Sequence, residues 1–337
     1  MEGNQFASGS GREVVIMEKV QSFVTHLREK TRMLRQGGEH HGNAHQVGIM
    51  PKEGWRQRNV EFFNQVLIPT LFARRGGGVK SPDFAAVAGD RMGVTWIGHA
   101  SFLVQIAGKN ILVDPNWALW HSIVKRVRRP GIHLDELPRI DLVLLTHAHF
   151  DHLHLPTLAD VARGQTILVP RGVGNLVKKM YFSRVVEMEW WDKFRFGEIE
   201  VQFTPARHWG ARYVHDVHRG FGGFLISSDY GAIYHCGDSS FFGGFQEIGK
   251  RKAIDLALLP IGAYRAPSGR PVHMNPEEAV EAFVALGAKE MAPMHYATFP
   301  LGSEPLHEPL EWLVDSAVRE GVADRVHLLG EGEVLVV

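Results

Sequence analysis

The sequence predicts an α/β sandwich, in which short strands gather into sheets and helices cover them. Three observations predict it. From residue 94 the chain breaks into short apolar runs separated by turns, first as a meander and then as strands alternating with helical segments. That order, β runs followed by strand–helix units, occurs in both halves of the chain. The third observation is the apolar run Leu142-Val143-Leu144-Leu145, which ends in Thr146-His147-Ala148-His149-Phe150-Asp151-His152-Leu153-His154, a stretch dense in metal-ligand side chains.

Residues 1–12 are polar and rich in Gly and Ser, which predicts a disordered start. Apolar residues at helical spacing over 14–34 (Val15, Met17, Val20, Phe23, Val24, Leu27) predict a first helix. After a polar loop over 36–54, the stretch 55–75 carries Phe62, Phe63, Val66, Leu67, Ile68, Leu71 and Phe72 and stops at Gly76-Gly77-Gly78. Strands are expected over 94–97, 101–106 and 110–113, the last closed by Asp114-Pro115, and then over 141–145 and 166–169. Extended segments follow at 184–188, 199–204, 223–228, 232–236, 255–259, 290–294 and 332–337. Helices are expected over 155–162, 172–179, 245–251, 276–286 and 308–319. At the fourth of these, Asn275 is placed to cap, Pro276 takes the first position, and Glu277 and Glu278 face the positive end of the helix dipole.

At 337 residues and 45% hydrophobic content the chain is long enough to bury a sizeable core. Lys+Arg and Asp+Glu are both 37, so there is no overall basic footprint of the kind that accompanies nucleic-acid binding. A single cysteine, Cys236, makes no internal disulfide; with no apolar signal segment near Met1, a cytoplasmic location is expected, with or without peripheral contact to a membrane. No run reaches the ~18 to 20 apolar residues needed to cross a bilayer.

The spacing H-x-H-x-D-H carries the chemistry. A strand places alternate residues on one side, so His147 and His149 project together from its end, while Asp151 and His152 turn back from the loop into the same space. Imidazole and carboxylate suit zinc and its first-row neighbours. A pair of ions needs further ligands, and three candidates also close strands: His208 after 201–204, Asp238 after 232–236 and His295 after 291–294. Each alone reads as an ordinary loop residue; together they converge on one edge of a sheet.

The set His147, His149, Asp151, His152, His208, Asp238 and His295, in this order, resembles the metallo-β-lactamase superfamily, and within it the branch of N-acyl-phosphatidylethanolamine-hydrolysing phospholipase D. The resemblance extends over about residues 90–315. It rests also on Val94-Thr95-Trp96-Ile97-Gly98-His99-Ala100, Leu112-Val113-Asp114-Pro115, Leu259-Pro260-Ile261-Gly262-Ala263-Tyr264, Asn275-Pro276-Glu277-Glu278 and His295-Tyr296-Ala297-Thr298-Phe299. Ala148 and Phe150 stand where the family motif carries Asn and Tyr.

The resemblance implies a four-layer αββα sandwich with two zinc ions; this hydrolase domain is expected over 91–337, behind an N-terminal extension, 1–90, read from its own residues as a disordered start followed by helix. His147, His149 and His208 would hold the first ion, Asp151, His152 and His295 the second, and Asp238 both. It also points to His273, in Pro271-Val272-His273-Met274, as a catalytic or substrate-contacting residue. Manganese or iron fits the same ligand types.

The implied reaction is hydrolysis of a phosphodiester in a phospholipid by a hydroxide between the metals, since two ions lower the pKa of a shared water from about 15.7 toward ~7. Asp151 would orient the water, and His273 would meet the phosphate or the leaving oxygen. The apolar stretch 62–72 with Arg74 and Arg75, and Trp117 to Trp120 with Lys125, Arg126, Arg128 and Arg129, suit a surface of anionic headgroups. Two other readings fit the same ligands: a soluble lactonase or small-molecule phosphoesterase, and a non-hydrolytic iron scaffold.

Overall fold

A computed structural model of the protein describes residues 47–48, 50–87, 90–213 and 216–337. The disordered start expected over 1–12 and the helix expected over 14–34 lie outside the described residues.

The second apolar stretch forms α1 (Trp55–Phe62), a π turn (Phe63–Leu67) and α2 (Ile68–Phe72). The widened turn lies just before Pro69, which has no N–H to return to the preceding turn. Phe62 and Leu67 are buried, whereas Phe63, Leu71 and Phe72 are exposed.

Alternating and continuous apolar runs then build two sheets. β1 (Gly93–Gly98), β2 (Ser101–Ile106) and β3 (Lys109–Val113) form an antiparallel meander. A small hairpin, β4 (Trp120–His121) with β5 (Val124–Lys125), precedes β6 (Leu142–Leu144). α3 (Leu155–Val161), β7 (Thr166–Pro170), α4 (Gly174–Val177) and β8 (Arg184–Met188) follow, and β3, β6, β7 and β8 run parallel to one another.

The second sheet repeats the plan. β9 (Lys193–Phe196), β10 (Ile199–Thr204), β11 (Gly223–Ser228) and β12 (Gly231–His235) are antiparallel neighbours. α5 (Gly244–Arg251), β13 (Leu256–Pro260), α6 (Pro276–Leu286) and β14 (Glu290–Met294) add two parallel strands. After α7 (Glu308–Arg319), β15 (Val334–Val336) returns to the first sheet as the antiparallel partner of β1. The strand orders are β15-β1-β2-β3-β6-β7-β8 and β14-β13-β12-β11-β10-β9.

Strands buried on both faces account for the near-continuous apolar runs. One face of the first sheet, with Ile97, Leu103, Leu112, Val143 and Ile167, packs under Leu158 and Val161 of α3 and Val177 of α4. The other meets the second sheet: the Phe102 and His235 rings lie 5.8 Å apart, and His235 Nε2 donates to the Ala100 carbonyl at 2.9 Å. α6 lies against β13 and packs beside α5 and α7. These layers make the four-layer αββα sandwich expected from the resemblance.

Helix termini carry the signals predicted for them. Asn275 Oδ1 accepts from Glu278 N at 2.8 Å, Glu278 Oε2 accepts from Asn275 N at 3.2 Å, and Gly287 closes α6 with φ +63°. The hairpin β4–β5 and the edge strand β9 were not expected.

The basic run after Trp120 departs from the surface expected for it. Lys125 Nζ donates to the carbonyls of Leu71 and Ala73 at 2.9 and 2.7 Å. Arg126 is fully buried, with its Nη1 on the Asn116 carbonyl at 2.9 Å and its Nε on that of Arg128 at 2.8 Å. Arg128 forks onto Glu331. Of the four basic residues, Arg129 is the one left exposed. A buried cation surrounded by carbonyl oxygens ties loops together, so this charge serves the fold.

Candidate metal centre

The site residues stand where strands end, at one edge of the two sheets. His147, His149, Asp151 and His152 follow β6; His208 follows β10; Asp238 follows β12; His295 follows β14; and His273 precedes α6. Getting the chain round these corners uses unusual backbone. His295 has φ +61° and Asp114 has φ +46°, while Gly237, at φ +63°, turns Asp238 inward. A Cβ on Gly237 would lie 2.6 Å from the Gly222 carbonyl oxygen, so no larger residue fits that turn.

All eight predicted residues come together. Donor atoms of His147, His149, His208 and Asp238 lie within 4.8 Å of one another, as do those of His99, Asp151, His152 and His295, and of Asp238, His273 and His295. Asp238 is the hub. Its Oδ2 lies 3.2 Å from His295 Nε2, 3.3 Å from His152 Nε2, 3.6 Å from His147 Nε2, 3.8 Å from His208 Nε2 and 3.8 Å from His273 Nδ1. Asp151 Oδ2 lies 3.3 Å from His295 Nε2 and 3.6 Å from His152 Nε2.

The ring nitrogens turned away from the centre are held by the fold. His147 Nδ1 donates to Thr146 Oγ1 at 2.9 Å, and that hydroxyl donates to Asp114 Oδ2 at 2.6 Å. His152 Nδ1 donates to Asp114 Oδ2 at 2.7 Å, and His208 Nδ1 to the Val272 carbonyl at 3.0 Å. In the neutral ring each of these bonds places the proton on Nδ1 and leaves Nε2 free to face inward.

Burial and charge set the protonation states. Burial holds His147, His149, His208 and His273 below the usual imidazole pKa, His149 and His273 at about 4. Burial also works against ionisation of Asp151 and Asp238, but the facing imidazoles, His152 foremost, hold both well below the usual carboxylate range. Burial opposes charge on His152 and His295 as well. There the carboxylates outweigh it, raising His152 well above its ordinary value and pushing His295 up to about 9.

This donor set fits divalent metal. A tetrahedral ion bound by nitrogen at about 2.0–2.1 Å sets neighbouring donors about 3.3 Å apart. The separations between facing donors around Asp238 run from 3.2 to 3.8 Å. Buried His152 Nε2, His295 Nε2 and Asp238 Oδ1 have no hydrogen-bond partner, an orphaning that coordination would relieve, while His149 turns its Nδ1 toward His147 Nε2 at 2.9 Å and His208 Nε2 at 3.2 Å. His147, His152, His208, His295 and Asp238 are at most 3% exposed. The side chains of Asp151 and His273, 14% and 11% exposed, mark the open side.

Sequence reasoning assigned no role to two residues here. His99, at the turn after β1, lies with Nε2 2.8 Å from Asp151 Oδ2. Asp114 binds Thr146 and His152 from behind. Both close apolar strands, the same signal that singled out His208, Asp238 and His295. His154, by contrast, turns away and caps α3, its Nδ1 accepting from Thr157 N at 3.3 Å.

A family model described as a beta-lactamase superfamily domain matches residues 109–296. An uncharacterized protein of Mycobacterium tuberculosis is 33% identical over 264 residues, covering 74% of this chain and 71% of that one. The N-acyl-phosphatidylethanolamine-hydrolyzing phospholipase D 1 of Caenorhabditis elegans is 31% identical over 275 residues, covering 73% and 75%. Igni18, a metallo hydrolase from the archaeon Ignicoccus hospitalis, matches in structure with a TM-score of 0.57 at 26% identity, covering 73% of this chain and 98% of that one. The chain belongs to the metallo-β-lactamase superfamily. It is a metal-dependent hydrolase of that fold, with relatives among the phospholipases D that hydrolyse N-acyl-phosphatidylethanolamine.

Proposed function

We propose that the centre is the binuclear zinc site of a phosphodiesterase of phospholipase D type, acting on N-acyl-phosphatidylethanolamine-like lipids. The observation that carries this reading is the sharing of Asp238 between two ligand sets, His147, His149 and His208 on one side and Asp151, His152 and His295 on the other. Two divalent ions in such sets supply an acidified water at neutral pH and Lewis acidity toward the phosphoryl oxygens.

The chain's own residues do the rest. Asp151, at the open side, orients the attacking water and accepts its proton. His273 donates a hydrogen bond to a phosphoryl oxygen at the mouth; its ring is stacked 5.2 Å from that of His295, which fixes its direction. The water oxygen joins phosphorus, the bond from phosphorus to the headgroup oxygen breaks, and that oxygen takes up the proton Asp151 accepted, so the headgroup leaves as an alcohol. The buried walls keep other water out.

Two observations support a lipid substrate. The worm relative named above hydrolyses N-acyl-phosphatidylethanolamine by name. In addition, the exposed side chains of Leu71, Phe72, Leu119, Trp120 and Ile123, with Arg75 over the Trp120 ring at 5.4 Å, form an apolar and basic surface. It adjoins the centre: His121 Nε2 meets Asn116 Nδ2 at 2.9 Å, and that amide donates to the Asp151 carbonyl at 2.5 Å. Among the described residues no helix is long and apolar enough to cross a membrane, so contact with lipid is peripheral in this reading.

The test is turnover of N-acyl-phosphatidylethanolamine vesicles beside a chromogenic phosphodiester, with metal content measured on the same sample. Release of N-acylethanolamine with two zinc ions per chain is expected. Cleavage of the chromogenic ester without cleavage of the lipid overturns the lipid assignment and leaves the metal chemistry standing.

A further inference from the structure

We propose that His99 is a positioning residue of the second ligand set: its ring fixes the carboxylate of Asp151 and its backbone fixes His295. The inference rests on the two-ion reading above.

His99 is itself rigidly placed. It is 1% exposed and adopts φ +57°, a conformation in which a non-glycine residue persists only when its surroundings enforce it. Its amide donates to Thr298 Oγ1 at 2.9 Å, and its carbonyl accepts from Trp96 Nε1 at 2.9 Å and from His295 N at 3.1 Å. The last bond anchors the turn that presents the His295 imidazole, and the two rings lie 4.1 Å apart. Phe299 closes the other side, edge-on at 5.1 Å.

From this anchor Nε2 reaches Asp151 Oδ2 at 2.8 Å, a bond spanning 52 residues of chain. Asp151 needs it, being the most exposed carboxylate of the centre and standing on a loop. The geometry also separates His99 from the ligands beside it. His152 and His295 each face both Asp151 and Asp238, at 3.2 to 3.6 Å, whereas the His99 ring is bonded to Asp151. Its Nδ1 has no partner, which puts the proton on Nε2, where Asp151 accepts it. A ring that donates to a ligating carboxylate sets the direction of its lone pairs, and loss of such a support typically weakens metal binding about 10–100-fold.

His99→Asn, His99→Phe and His99→Gln separate this role from simple packing. Asn tolerates the positive φ and is too short to reach Asp151, Phe keeps the ring volume without a donor, and the Gln amide nitrogen stands near the place of Nε2. Zinc content after dialysis against a zinc buffer, zinc affinity by competition with a chromogenic chelator, and circular dichroism are measured on each full-length protein. Wild type is expected to hold two ions. The Asn and Phe variants should fold and retain one, with the second binding about 10–100-fold weaker, and Gln should recover most of that loss. Two ions bound with wild-type affinity by either the Asn or the Phe variant overturns the positioning role, and the other variant decides should one of them fail to fold. Fewer than two ions in wild type overturns the two-ion reading, and this inference with it.

Discussion

Asp114 Oδ2 accepts the Nδ1 proton of His152 at 2.7 Å, with both side chains fully buried and 38 residues apart in sequence. The same carboxylate accepts Thr146 N at 2.8 Å and Thr146 Oγ1 at 2.6 Å, so one side chain fixes both the end of β6 and the loop that carries half of the centre. Asp114→Ala leaves the buried Thr146 amide without its acceptor. In metal-stripped protein it is expected to lower unfolding free energy by about 1–3 kcal/mol, read from the denaturant midpoint. In the loaded protein it should also weaken zinc binding about 10–100-fold. An unchanged midpoint and unchanged affinity would remove Asp114 from the account.

Asp151→Asn and His149→Ala are expected to abolish hydrolysis while near- and far-ultraviolet circular dichroism stay those of wild type. Both side chains belong to the centre at the strand ends and are only partly buried, while the core lies under the strands. Turnover above about a hundredth of the wild-type rate in either variant would contradict their assignment as ligands, because the loss of one ligating or preorganised polar group commonly costs about 10²–10³ in rate.

The cap of α6 links stability to the site. Asn275→Ala removes the bond to Glu278 N and should cost about 0.5–2 kcal/mol. Because Met274 N donates to the Ser239 carbonyl at 3.1 Å, next to His273 by one route and beside Asp238 by the other, fraying there should loosen His273. Hydrogen exchange is expected to speed up at 273–279 with little change in β13 or β14.

Much of this was legible in the sequence because strand ends announce themselves. Runs such as Ile199–Thr204, Gly223–Ser228 and Glu290–Met294 are bounded by turn residues, and a polar residue just past such a run points to the sheet edge. His99 carries the same signal after β1, but a lone histidine in a tight turn does not announce which carboxylate it will meet 52 residues later. β9 was missed because Lys193-Phe194-Arg195-Phe196 is a half-exposed edge strand too short for its alternation to stand out, and the hairpin β4–β5 has too few residues in each arm to show a period. Arg126 misled for a physical reason. A basic run reads as a solvated face, and only the folded loop reveals the carbonyls of Asn116 and Arg128 closing on the guanidinium.

The exposed group formed by Phe72, Trp120 and Ile123 predicts binding to vesicles containing anionic phospholipid, weaker at high salt as Arg74 and Arg75 are screened. Phe72→Asp combined with Trp120→Asp should abolish co-sedimentation and raise KM for vesicle substrate, with turnover of a soluble phosphodiester unchanged. Equal co-sedimentation of the variant and wild type would show that another surface, or none, meets lipid.

The central claim is that hydrolysis runs through the two ligand sets joined at Asp238. Its most direct measurement is phosphodiester turnover by one preparation before chelation, after chelation and after stepwise return of zinc, with bound metal quantified at each step. Activity should vanish in the stripped protein and return only as bound zinc approaches two ions per chain. Full turnover by the stripped protein, or full recovery at one ion, would contradict the account.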